Sequence, residues 1–229
     1  MYIILIASLA PVLFLLWYIY QHDHYQKEPL RMLLKALLGG VLAALLDILL
    51  LSIVGVVYSP AFTDGMQAAL YQAFGQAALP EELCKLIFLY AFIWKSPYFD
   101  EYYDGVEYAA FVGLGFAGLE NVMYVMQGGL AVAVGRALFA VPAHFFFAIF
   151  MGFFFSMAKF KPWSKGRYLL LALLVPVILH GIYDFILMYR DVITETDTVT
   201  ASILSIGFFV FFIFVWRFAI RKVKKVVGK

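Results

Sequence analysis

Seven apolar runs of about 20 residues or more follow one another along the chain, at about 1–20, 31–58, 67–94, 106–127, 137–158, 168–189 and 201–220. At 1.5 Å of rise per residue, about 20 residues cross the hydrocarbon core of a bilayer as an α-helix. The runs are continuous rather than alternating, which favours helices over a membrane β-barrel, since each segment must satisfy its own backbone polar groups in lipid. The expected fold is all-α: a polytopic membrane helix bundle of about seven transmembrane helices. Short loops and the lack of a linker or repeat make residues 1–229 a single integral-membrane domain, with its polar motifs between about 67 and 189. Composition agrees, because 65% of the residues are hydrophobic and 14% charged, against roughly 45–50% and 25% in soluble domains. A soluble fold of this size would lack the charge to cover its surface.

Orientation follows from the cations. Of the 17 Lys and Arg, all but Lys85, Arg136 and Arg190 fall in one alternate set of loops and in the tail. The positive-inside rule therefore puts the N-terminus outside and the C-terminus in the cytoplasm. A net charge of +2 argues against nucleic acid as a partner and leaves the lipid bilayer as the surface this chain meets. The first run has neither a basic leader nor a small-residue cleavage site, so it is expected to be a retained span. Cys84 is the single cysteine, so no intramolecular disulfide is available.

The residues that hydropathy does not expect are the informative ones. Asp47, Glu81, Glu82, Lys85, Glu120, His144, His180 and Asp184 lie inside apolar runs. Each charge costs about 2.5–3.5 kcal/mol at the bilayer centre on insertion scales, so such a cluster points to function. Glu107 sits near a run end, where it can reach the interface, and Asp47 has no companion at helical spacing. Pro80 immediately precedes Glu81 and Glu82, which diverge by about 100° on a helix. Lys85 follows them by four and three residues, placed to neutralise one carboxylate and leave the other for chemistry. Glu120 and Asn121 offer an acid and an amide, with Asn121 placed to orient Glu120 or to donate to a substrate carbonyl. His180 and Asp184 share a face at i and i+4. Depth arithmetic at 1.5 Å per residue sets Glu120, His144 and Asp184 roughly 8–11 Å from the outer end of their spans. The glutamate pair and His180 lie deeper, so access from the extracytoplasmic side is expected.

These elements resemble the PrsW family of intramembrane proteases, distantly related to the type II CAAX prenyl endopeptidases. The matching residues are Glu81-Glu82-x-x-Lys85, Gly115-Phe-Ala-x-x-Glu120-Asn121 after Asp104-Gly105, Arg136 with His144, and His180-x-x-x-Asp184. The resemblance implies a multi-pass endopeptidase of the bacterial plasma membrane. Its implied substrate is a membrane-anchored protein, an anti-sigma factor cut at site 1 on its extracytoplasmic side in envelope-stress signalling. It also implies that Glu81, Glu82, Glu120, His144 and His180 belong to the active site, with Asp184 at a position where the CAAX relatives carry an amide.

Two chemistries fit these residues. In one, a glutamate of the Glu81/Glu82 pair and His144 activate water, while His180 with Asn121 or a protonated Asp184 assists the oxyanion. In the other, His144, His180 and a glutamate, with Glu120 a candidate, hold a divalent metal such as zinc, and a second glutamate is the base. No Ser-His-Asp arrangement is present, and Cys84 reads as packing. Chains of acids and histidines also build proton relays. A proton-coupled transporter or a non-catalytic membrane scaffold is therefore the competing class.

Overall fold

In the computed structural model, residues 2–21, 27–58 and 60–227 are described, with side chains as far as Arg221. The side chains of Lys222, Lys224, Lys225 and Lys229, which contribute to the charge bias, lie outside these residues, as does Met1. The described residues are mostly helical and contain no strand. α1 is Tyr2–Gln21, α2 Leu30–Val57, α3 Gly65–Leu70, α4 Leu79–Ile93, α5 Tyr102–Gly135, α6 Val141–Phe160, α7 Lys165–Ile193 and α8 Thr198–Val227. π-helical stretches at Tyr71–Ala78 and Arg136–Ala140 join α3 to α4 and α5 to α6.

Among the described residues, five helical segments are long and apolar enough to cross a membrane. Two of the predicted runs, 106–127 and 137–158, fall in one continuous segment, Tyr102–Phe160. That segment is bent at Gly129, where φ is 73° and ψ −164°, a conformation glycine adopts without steric cost. A Cβ at Gly105 or Gly152 would touch the opposite arm, as would one at Gly113 against Ala148. The two arms therefore run antiparallel. The run at 67–94 is helical from Gly65 to Ile93, but it is interrupted by π geometry and carries Glu81, Glu82 and Lys85.

α5 is the central helix, because Tyr103 to Gly118 is buried on every side, as expected of a helix apolar all round. Small residues allow this closeness. A Cβ on Gly40 would stand 1.9 Å from the Val112 carbonyl oxygen, and one on Gly115 2.2 Å from that of Leu37. Backbone contact of this kind packs membrane helices where no hydrophobic driving force separates them from lipid. Its start is set by a capping box between Glu101 and Asp104, which satisfies free N–H groups reciprocally. Glu107, which its sequence position puts within reach of the interface, is instead fully buried. The enclosure of α5 on all sides leaves it no route outward.

Candidate active site

Three of the helices that carry site residues, α4, α6 and α7, have a proline just ahead of them. Pro80 precedes Glu81 by one residue, Pro142 precedes His144 by two, and Pro176 precedes His180 by four. Proline lacks the N–H of the i→i−4 bond and crowds the preceding turn. The turns before Pro80 and Pro142 open into π geometry, a distortion common at functional sites. α4, the α5–α6 hairpin and α7 thereby converge their polar residues on one point.

Lys85 stands among the acids. Its Nζ donates to Glu81 Oε2 at 3.1 Å and to Glu82 Oε1 at 2.8 Å, lies 3.1 Å from His144 Nδ1, and sits 4.0 Å above the Phe116 ring. Helical spacing predicts that Lys85 neutralises one carboxylate only. It bonds both because its three donors fan out from a single nitrogen, and Glu81 and Glu82 both turn toward it.

The two histidines are held in the same way. His144 Nε2 meets Glu120 Oε2 at 2.8 Å, and His180 Nε2 meets Asp184 Oδ2 at 3.2 Å. Their Nδ1 atoms point inward, that of His144 to Lys85 and that of His180 to Glu82 Oε1 at 3.0 Å. The ring centroids are 5.3 Å apart, and Phe147 stacks on His180 at 5.0 Å. A carboxylate on one imidazole nitrogen fixes the ring and its tautomer and leaves the other nitrogen for the centre.

Behind Glu120 lies a further chain of contacts. Arg136 Nη2 is 2.8 Å from Glu120 Oε2, and its Nε donates to Asn121 Oδ1 at 2.9 Å. Asn121 Nδ2 donates in turn to the Ser8 carbonyl of α1 at 2.6 Å. Asn121 is fully buried, with its amide nitrogen and its amide oxygen each engaged. Through Arg136 it is linked to Glu120. The guanidinium also lies 4.2 Å from the Tyr124 ring centroid. Tyr124, Phe116 and Phe147 were not among the sequence-predicted residues. Only the i+4 spacing of Tyr124 from Glu120 hinted at one of them.

Glu81, Glu82, His144 and His180 are all buried and each offers a donor atom within 4.8 Å of the others. Glu82 Oε2 is buried without a hydrogen-bond partner, an unsatisfied acceptor that a cation would engage. Imidazole nitrogen and carboxylate oxygen suit zinc-like ions, so these residues fit a divalent metal. Glu120, considered from sequence as a ligand beside the two histidines, stands outside this group. It lies on the far, Nε2 side of His144, where Arg136 shares the same oxygen.

A cavity of about 610 Å³ reaches the site, lined by Glu81, Glu120, Arg136, His144, His180 and Asp184 and extending to Arg190 and Asp191 near the end of α7. A second cavity, of about 330 Å³, approaches from α2 and shares Glu81, Glu120 and Tyr124 with the first.

The PrsW family intramembrane metalloprotease profile matches residues 28–217. The chain belongs to the PrsW family. It is similar to Protease PrsW of Geobacillus kaustophilus, at 36% identity over all of this chain and 94% of that protein. It is also similar to Protease PrsW of Bacillus subtilis, at 34% identity over 98% of this chain and 96% of the relative. The Clostridioides difficile protein of the same name is 34% identical over 96% and 90%. No solved structure matches the chain. The protein is therefore a membrane-embedded protease rather than a transporter or scaffold.

Proposed function

We propose that this chain is a seven-span metallo-endopeptidase of the bacterial plasma membrane that cuts a membrane-anchored protein, of the anti-sigma-factor type, near its extracytoplasmic side. The four convergent donors with the unsatisfied Glu82 oxygen among them carry this assignment. The crossings are α1, α2, the α3–α4 rod, the two arms of the Tyr102–Phe160 segment, α7 and α8. The charge bias turns the N-terminus and the Arg190 end of α7 outward and the C-terminus toward the cytoplasm. Both cavities then approach the site from the outer leaflet.

His144, His180 and Glu82 are the residues to hold a divalent ion, zinc by the character of the donors. Such an ion supplies Lewis-acid polarisation of the scissile carbonyl. Glu81 has the other role, because it lines both cavities while Glu82 lines neither. Its carboxylate takes a proton from the attacking water and delivers it to the leaving amide nitrogen. Lys85 keeps the two glutamates together despite their like charge. Asp184 and Glu120 hold the histidine rings at Nε2, and Arg136 with Asn121 holds Glu120. At the position where the CAAX relatives carry an amide, Asp184 thus orients a ring.

The test is cleavage of a single-span reporter by the purified, reconstituted protein, with the cut site mapped by mass spectrometry. Wild type is expected to cut, and Glu81→Gln, Glu82→Gln and His180→Ala to abolish cutting. Intact cleavage by all three variants would overturn the assignment.

A further inference from the structure

Asp47 takes no part in the chemistry described above, although it is 5% exposed in the middle of α2. Its Oδ1 is buried without a hydrogen-bond partner, and among the described residues it forms no ion pair. The acids of the proposed site are compensated: Glu81 and Glu82 by Lys85, Glu120 by Arg136, Asp184 by His180. Asp47 is also outside the four-donor group, so a metal at that centre would not engage it. An unpaired buried carboxylate is costly to keep in lipid. It has a use if something brings it a partner.

Asp47 lines the 330 Å³ cavity, and the same cavity is walled by Glu81 and Glu120. Its remaining surface combines apolar Ile48, Leu51 and Phe116 with the amides of Gln72 and Gln76. The cavity therefore has an apolar barrel, an acid that forms no ion pair, and direct continuity with the proposed base. We infer that it is a substrate side-chain subsite, in which Asp47 receives the cationic head of a lysine or arginine close to the scissile bond. The apolar walls cover the methylene stem, as amphipathic side chains require, and the carboxylate takes the charged donor. Sequence specificity would thus be set by α2, outside the motif-bearing segment.

This inference rests on the protease assignment, so binding and cutting are read separately. Single-span reporters carry Lys, Met or Glu in turn at each position flanking the mapped cut site, or at each position of the juxtamembrane segment if no cut is found. Binding to full-length protein in nanodiscs is measured for wild type, Asp47→Asn and Asp47→Ala, and cleavage is followed in parallel. At one position wild type is expected to bind the Lys reporter roughly tenfold more tightly than the Met reporter, as suits a hydrogen bond to a charged group. Asp47→Ala is expected to bring that ratio to about one, with Asp47→Asn between, and Asp47→Lys to favour the Glu reporter instead. Equal Lys and Met binding by wild type at every position, or a ratio that survives Asp47→Ala, overturns the subsite. Loss of cleavage with the binding preference intact would count against the protease assignment and leave the subsite standing.

Discussion

Replacing Lys85 by Met removes the cation and leaves a side chain of similar length and adaptable shape on Phe116. Lys85 is 2% exposed, and its Nζ holds carboxylates at 3.1 and 2.8 Å. Truncating one partner of a buried pair strands the other charge and costs about 3–5 kcal/mol, far more than the ~1 kcal/mol ceiling of exposed pairs. Two stranded glutamates put Lys85→Met toward the upper part of that range, about 4–5 kcal/mol, in metal-free protein. Lys85→Arg, which keeps the charge, is expected to lose less. A divalent cation held by His144, His180 and Glu82 brings positive charge to the same two glutamates, and a ligand that binds only the folded state stabilises it by mass action. Saturating zinc should therefore recover most of the loss in Lys85→Met and add less to wild type. The assay is reversible unfolding in mixed micelles, with chelator and with zinc. A loss under about 1 kcal/mol in chelator, the size of an exposed pair, would refute the reasoning. So would an equal loss with and without zinc.

Other outcomes follow from the same geometry. A Cβ on Gly40 would meet the Val112 carbonyl oxygen at 1.9 Å, whereas at Gly55 nothing lies within 4 Å. Gly40→Ala is expected to lower the unfolding midpoint and the cleavage rate together while Gly55→Ala changes neither. Equal midpoints for the two variants would show that α2 and α5 do not meet as described. Arg136→Met frees Glu120 and Asn121 at once, and loss of such outer support typically lowers activity about 10–100-fold. The fall is expected mainly in kcat, with partial rescue by Arg136→Lys. Full activity of Arg136→Met would remove it from the site.

The bundle's helical character was legible because lipid demands it: long apolar runs have one way to satisfy their backbone. The polar centre was legible for the opposite reason, since Glu81, Glu82, Glu120, His144, His180 and Asp184 are conspicuous where hydropathy expects none. Which atom faces which partner was not. That depends on helix rotation, set by the π turns before Pro80 and Pro142 and by the contacts of Gly40 and Gly115. Glu120 therefore looked equivalent to the other glutamates, although its rotation places it behind His144 with Arg136. The hold on Asn121 was equally hidden, because Ser8 lies 113 residues away on α1. The merging of two predicted runs into one bent segment turns on the φ of Gly129, which hydropathy does not register.

The most direct measurement is the metal content of the purified wild-type, Glu81→Gln and Glu82→Gln proteins, set beside reporter cleavage before and after chelation and zinc restoration. One metal ion per chain is expected in wild type, with cleavage lost on chelation and regained with zinc. Glu81→Gln should keep the metal and fail to cut, whereas Glu82→Gln should lose both. Full cleavage by wild type with no metal bound would contradict the assignment of His144, His180 and Glu82 as ligands.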